Sequence, residues 1–152
     1  MTAPIVVRRA TPADYLVGPR SLGPRGHSGG LSLDRGYFLA EREGSLVGCL
    51  GWRVENLVAR LEDLRLAEGP PEQRAAALHA LVEAVGQAAA ALECEAMLLA
   101  LAAAEGHLVG STLARLGFEA QPLQALPRYH REAAEEMLQD GYVLWQKRLR
   151  AE

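Results

Sequence analysis

The sequence predicts a single α/β domain over residues 1–152, and three patterns in its middle support that prediction. Apolar and polar residues alternate from Tyr37 to Leu66, as in an antiparallel sheet. A helical periodicity follows between Leu78 and Leu92, and residues 96–102 then form a short apolar run. Strand, amphipathic helix and doubly buried strand together make one βαβ unit. A chain of this length buries a core without disulfides or a structural metal.

The N-terminal part predicts a strand, a helix start and a long loop. Residues 5–8 are a β-branched run. Thr11-Pro12 suits the first turn of a helix, because threonine caps a helix and proline is tolerated at its first position. Residues 18–36 are rich in glycine and proline and lack apolar periodicity, which predicts a loop that is either a lid or disordered.

The strand predicted over residues 57–66 contains a phase slip of one residue. Its apolar residues before the slip are Leu57, Ala59 and Leu61, and those after it are Leu64 and Leu66. A strand keeps one face buried only if a β-bulge absorbs the extra residue. The sequence therefore predicts a bulge at Glu62-Asp63.

Further elements complete the predicted order. They are a helix over residues 108–116 ending at Gly117, a strand from Phe118, a surface helix over residues 130–139, and a closing strand over residues 142–149. Glycine suits the left-handed C-terminal cap of a helix. In the surface helix, Glu132, Glu135 and Glu136 are predicted to form a solvated face.

Charge and hydropathy exclude several classes of partner. The net charge of −3 disfavours nucleic acid, since phosphate backbones need a clustered basic surface. The N-terminus lacks a secretory or transit pattern, and no run reaches the roughly 20 apolar residues that span a bilayer. The expectation is a cytoplasmic protein without a membrane partner.

The two cysteines and the two tryptophans are candidates for a metal site and for a dimer face, respectively. Cys49 and Cys94 lack metal-ligand spacing, so free thiols and no metal site are expected. Trp52 and Trp145 fit either a homodimer face or the core.

The order of elements resembles the GNAT superfamily of N-acetyltransferases over nearly the whole chain. The passages IVVRRATPAD, GSLVGCLGWRVE, LARLGFEA and DGYVLWQKRL resemble its first strand and turn, third strand, helix-to-strand joint and closing strand. The resemblance implies a mixed, mostly antiparallel sheet of six to seven strands with helices on both faces. The rival is another α/β domain with a mixed sheet. The glycine-rich loop and weak central motif also resemble a bacterial branch of the superfamily known only as a domain of unknown function.

The resemblance implies acetyl-CoA as co-substrate, with its pyrophosphate on backbone amides between the bulged strand and the next helix. The family pattern of Gln or Arg followed by two glycine sites falls on Gln73, Ala76 and Leu78, with Arg74 beside them. Both glycine sites carry side chains, so a functional site and a structural turn both remain open. In this register, Leu78→Gly should tighten coenzyme binding.

A second register of the same motif, one residue earlier, matches no better. It places Glu72, Ala75 and Ala77 on the pattern, and so presents a carboxylate to a pyrophosphate.

The resemblance also implies the catalytic groups. Glu62 or Asp63 stands where the superfamily places a general base, and the backbone amides around Leu64 to Leu66 would polarise the thioester carbonyl. The alternative is that both carboxylates are ordinary ion-pair partners of neighbouring arginines.

The usual acid, a tyrosine that protonates the leaving thiolate, is replaced by Leu113. Tyr129 is the predicted substitute, and His130 and His107 are further candidates.

Two functions therefore compete. One is an acyl-CoA-dependent N-acyltransferase that acetylates an amine of a small molecule or protein. The other is a non-catalytic GNAT-fold binding or interaction module. Strands that separate at Glu62 would favour the enzyme, and a closed pair would favour the module.

Overall fold

The computed structural model describes residues 4–11, 14, 35–102 and 106–150, excluding the side chains of residues 106–108. Its strands are β1 (Ile5–Arg9), β2 (Arg35–Arg42), β3 (Ser45–Glu55), β4 (Val58–Leu66), β5 (Ala96–Ala102), β6 (Glu119–Ala120) and β7 (Tyr142–Arg148). Its helices are α1 (Pro71–Ala91), α2 (Gly106–Arg115) and α3 (Arg128–Glu135), with a 3-10 turn at Leu123–Ala125. The helix predicted to begin at Thr11 and most of the loop predicted over residues 18–36 lie outside this description.

The strands form one mixed sheet in the order β1-β2-β3-β4-β5-β7-β6. Among the described strands, only β4 and β5 pair in parallel, and the other neighbours are antiparallel. A parallel pair needs a long crossover, which α1 supplies. The predicted mixed, mostly antiparallel sheet of six to seven strands is therefore confirmed, and it has seven described strands.

The two faces of the sheet bury different helices. On β5, Met97 and Leu99 pack into the core beneath α1 and α2, whereas Leu98 packs with α3. Strand residues alternate between faces, so one continuous apolar run serves both layers. The buried residues of α1 are Ala77, Leu78, Leu81, Val82, Val85 and Ala89, which confirms the predicted helix face.

Two tight turns connect the central strands. Glu43 and Gly44 have φ angles of 52° and 80°, and Asn56 and Leu57 have 53° and 64°. Pairs of positive φ match the twist of antiparallel hairpins. Leu57 therefore belongs to a turn rather than to the predicted strand, because β4 begins at Val58.

The end of α3 differs from its prediction. The helix ends at Glu135, four residues early. Glu136 is exposed, as predicted, and it also pairs with the buried Arg60 of β4. The left-handed end of α2 is confirmed by the φ of 96° at Gly117.

Both tryptophans contribute to the core. Trp52 is only 1% exposed, and Trp145 is half-buried against the same cluster. The core alternative is thus the correct one for Trp52. Among the described residues, no helix is both long and apolar enough to cross a membrane.

Candidate active site

Strands β4 and β5 separate halfway along their length. Their parallel ladder runs from Val58–Ala96 to Leu61–Leu99 and ends there, although both strands continue. On the other side of β4, the register with β3 jumps from Glu62–Gly51 to Arg65–Cys49. One extra residue in β4 bends the strand away from β5. The predicted bulge is confirmed.

A cavity of about 320 Å³ lies at this separation. Residues 60–64 of β4 and 99–102 of β5 line it, together with Glu136, Met137 and Gln139 from the segment after α3 and Tyr142 from the start of β7. Polar and apolar groups converge at a point where the sheet is open, as is common in ligand sites.

Glu62 is the more available of the two predicted bases. Its side chain is 46% exposed, lines the cavity and lies 4.0 Å from Arg53 Nε. An exposed ion pair of this length stabilises little. The Glu62 carboxylate can therefore accept a proton from a ligand without losing a strong partner.

Asp63 has two donors already. The Tyr37 hydroxyl donates a hydrogen bond of 2.8 Å to it, and Arg65 donates one of 3.0 Å. Its φ is 54°, a left-handed conformation that aspartate tolerates better than most residues. The structure thus distinguishes the two adjacent carboxylates by their partners.

Leu64 and Leu66, whose backbone amides are predicted to polarise the thioester carbonyl, also differ in position. Leu64 lines the cavity, whereas Leu66 pairs with Gly48 and packs towards the core beneath α1. The carbonyl-polarising role stays a prediction for both, and Leu64 has the more suitable position.

Arg60 organises the cavity wall that faces α3. Its buried guanidinium donates hydrogen bonds to Glu55 (2.6 Å) and to Glu136 (3.0 Å). Burial opposes the charge, but the two carboxylates outweigh it and raise the pKa of Arg60. Arg60 therefore attaches the segment after α3 to β4.

Tyr129 does not join the other predicted catalytic residues. Its hydroxyl donates a 2.6 Å hydrogen bond to Glu95, which lowers the pKa of that carboxyl. Glu95 precedes β5, whereas the cavity starts at Leu99, roughly 13 Å further along the strand. The role of Tyr129 as an acid stays a prediction. His107 lies outside the described side chains.

His130 makes stability sensitive to acid. It is buried, with Nε2 3.3 Å from Glu95 Oε2. Burial lowers its pKa, Glu95 opposes that shift, and Arg148 adds to it. The unfolded chain therefore binds the proton first as pH falls below about 6.5. We expect the free energy of unfolding to decrease from there through the lower folded pKa, and His130→Leu to flatten that decrease.

Urea unfolding at several pH values between 7.5 and 5 measures this slope. His79, whose side chain is 52% exposed on α1, provides the matched control in His79→Leu. Equal slopes in wild type and His130→Leu would contradict the assignment.

The start of α1 forms a second, smaller concavity. A space of about 30 Å³ is lined by Arg42, Val47, residues 67–69, Gln73 and Arg74. The backbone N–H groups of Gln73 and Arg74 donate to Pro70, so they are not available to a ligand. Those of Glu68, Gly69 and Glu72 make no backbone hydrogen bond to any described residue.

Helix α1 places the predicted coenzyme-binding residues in different surroundings. Gln73 is exposed and Arg74 half-buried, and both line the small concavity. Arg74 Nε is buried with no hydrogen-bond partner in the described part of the chain. Ala76 is exposed, whereas Leu78 is wholly buried in the core. Coenzyme roles for Ala76 and Leu78 stay predictions, and the packing gives Leu78 a structural role.

Sequence reasoning missed several polar residues at or beside these two sites. Four of them are Tyr37, Arg42, Glu136 and Tyr142. Each reaches its site through strand pairing or packing between distant segments. Only Tyr142 had a local signal, as the first residue of the closing strand after Gly141.

Known proteins match this chain by structure only. No family model and no curated protein matches its sequence. N-acetylglutamate synthase from Neisseria gonorrhoeae, complexed with coenzyme A and L-arginine, matches with a TM-score of 0.64 at 17% identity, over 98% of this chain and 34% of that one. This chain thus spans about a third of the synthase.

Smaller acetyltransferases match as well. The GNAT-family acetyltransferase from Staphylococcus aureus MU50 has a TM-score of 0.57 at 14% identity, over 76% of this chain and 69% of that one. PaiA N-acetyltransferase from Thermoplasma acidophilum, in complex with coenzyme A, has a TM-score of 0.57 at 12% identity, over 76% and 61%. This chain has the GNAT fold.

Proposed function

We propose that this chain is an acyl-CoA-dependent N-acyltransferase that transfers an acetyl group to an amine of a small molecule or protein. The observation that carries the proposal is the separation of β4 and β5 beyond Leu61, with Glu62 on the wall of the cavity it opens. A closed ladder would leave no place for a thioester and an amine to meet within the sheet.

The reaction needs a base and a polarised carbonyl. The amine nitrogen attacks the thioester carbon, the C–N bond forms, the C–S bond breaks, and the nitrogen gives up a proton. Deprotonating a lysine-like ammonium at neutral pH costs roughly 4–5 kcal/mol. Glu62 is the base in this proposal, since its carboxylate is exposed in the cavity. The Leu64 backbone N–H polarises the carbonyl, and the Tyr142 phenol on the cavity wall donates the proton that the sulfur takes up.

The start of α1 supports binding of the coenzyme's phosphates. The N–H groups of Glu68, Gly69 and Glu72, which make no backbone hydrogen bond to any described residue, lie at the positive end of the helix. Arg42 and Arg74 add two guanidinium groups, and Gln73 adds an amide. In the family pattern, glycines let the pyrophosphate come close to the backbone. Here those glycines are absent, and the charged side chains would bind the phosphates instead.

Calorimetric titration with acetyl-CoA tests the proposal. We expect saturable binding, weakened about ten- to a hundredfold in Arg74→Gln, because a charge-assisted hydrogen bond is worth roughly 1.5–3 kcal/mol. Arg128→Gln is the control, because its side chain is 88% exposed on α3. Absence of acetyl-CoA binding at millimolar concentration would exclude the proposed enzyme activity. An affinity of Arg74→Gln equal to that of wild type would exclude the proposed phosphate site at the start of α1.

A non-catalytic module is the second candidate. Pro70 and Pro71 provide no N–H donors at the helix start, and Leu78 fills the core at a position where the family pattern has a small residue. Absence of binding to both acetyl-CoA and free CoA would exclude the enzyme and favour this second candidate.

A further inference from the structure

The carboxylate of Asp63 joins two strands at the bulge. It accepts hydrogen bonds from Tyr37 of β2 (2.8 Å) and from Arg65 of β4 (3.0 Å). Its side chain is 25% exposed, about half the exposure of the Glu62 side chain at 46%. Both donors bind the Oδ2 atom, so they hold the Asp63 side chain in place while it lines the cavity beside Glu62, which suits a positioning role.

Glycine at position 51 provides the space for Tyr37. Gly51 lies opposite Tyr37 on one side and opposite Glu62 on the other. A Cβ atom there would lie 3.0 Å from Tyr37 Cε2 and 3.0 Å from the carbonyl oxygen of Glu62. The carbonyl belongs to the backbone and cannot move aside cheaply. A glycine is therefore needed for the Tyr37 ring to cross β3 and reach the bulge.

The two hydrogen bonds oppose the strain of the bulge. Asp63 has a left-handed φ of 54°, which L-residues adopt at a cost. Hydrogen bonds to a charged acceptor are stronger than neutral ones and hold such a conformation in place. The direction of the Glu62 side chain and of the Leu64 backbone both depend on this conformation, because they flank Asp63.

We infer that Asp63 is a positioning residue, held by Tyr37 and Arg65, which directs Glu62 and the Leu64 backbone into the cavity. The catalytic consequence rests on the proposed acyl transfer. The structural part, that Tyr37 stabilises the bulge through Asp63, does not.

Amide hydrogen exchange tests the structural part. Tyr37→Phe removes one hydroxyl and keeps the ring on Gly51. We expect exchange at residues 63–65 to become about tenfold faster or more, from the loss of one hydrogen bond to a charged group. Tyr129→Phe is the matched control, since it also removes a phenol–carboxylate hydrogen bond but at Glu95. Unchanged exchange at residues 63–65 in Tyr37→Phe would overturn the inference.

The pH dependence of acetyl transfer tests the catalytic part. Asparagine tolerates a positive φ, so Asp63→Asn keeps the bulge and a carbonyl acceptor for Tyr37. We expect a lower kcat with the acid limb of the profile retained, because the proposed base, Glu62, is unchanged in this variant. Loss of that limb in Asp63→Asn would make Asp63 the base and overturn the inference. If wild type acetylates no amine, the proposed function fails and hydrogen exchange alone decides the role of Tyr37.

Discussion

Replacing Leu78 with glycine is expected to lower the free energy of unfolding by about 3–6 kcal/mol. Removing a buried leucine side chain costs roughly 2–5 kcal/mol, and glycine inside a helix adds about 1 kcal/mol. Leu78 is 0% exposed, within the cluster that joins α1 to the sheet. Urea unfolding followed by circular dichroism measures the change.

Ala76→Gly separates the helix effect from the core effect. Ala76 is exposed on the same helix, so its replacement should cost only about 1 kcal/mol. A cost for Leu78→Gly close to that of Ala76→Gly would contradict the packing described for α1. Tighter acetyl-CoA binding by Leu78→Gly would support the register that places this residue on the coenzyme.

Glu62→Gln is expected to slow acetyl transfer about 10²- to 10⁴-fold, the usual contribution of a positioned general base. Glutamine has nearly the shape of glutamate but cannot accept the ammonium proton. The affinity for acetyl-CoA should stay the same, because the phosphates bind at the start of α1. Initial rates with a panel of primary amines across pH 6 to 9 measure the effect.

Glu132→Gln is the matched control for this substitution. The Glu132 side chain is 61% exposed on α3, where it approaches Arg128 rather than the cavity. A rate in Glu62→Gln equal to that of Glu132→Gln would exclude Glu62 as the base. If wild type and both variants bind acetyl-CoA but transfer no acetyl group, the binding module would be favoured.

The bulge could be predicted because it leaves a trace in a single strand. Side chains alternate with period two, so the step from Leu61 to Leu64 reveals an inserted residue. The structure confirms it, since Ala59, Leu61, Leu64 and Leu66 all pack with the same core. The buried face of α1 could be predicted for the same reason, because its apolar residues recur with the period of a helix rather than with the two-residue period of a strand.

The partners of the carboxylates could not be predicted in this way. The exposure of Glu136 could be predicted, but its ion pair could not, because its partner Arg60 is 76 residues away. Tyr37 and Asp63 are 26 residues apart and meet only because β3 brings β2 and β4 together. Tyr129 is a candidate acid because the sequence offers few other candidate acids, and the packing of α3 places it at Glu95 instead.

By itself, the sequence determined the α/β class, the order of the described strands and helices, the core face of α1 and the bulge in β4. These features follow from local periodicity, which each segment carries alone. Only the tertiary structure decided that β4 and β5 separate beyond Leu61, that Glu62 is open and that Asp63 is held. Those facts depend on contacts between strands that are distant along the chain, and no local pattern records them.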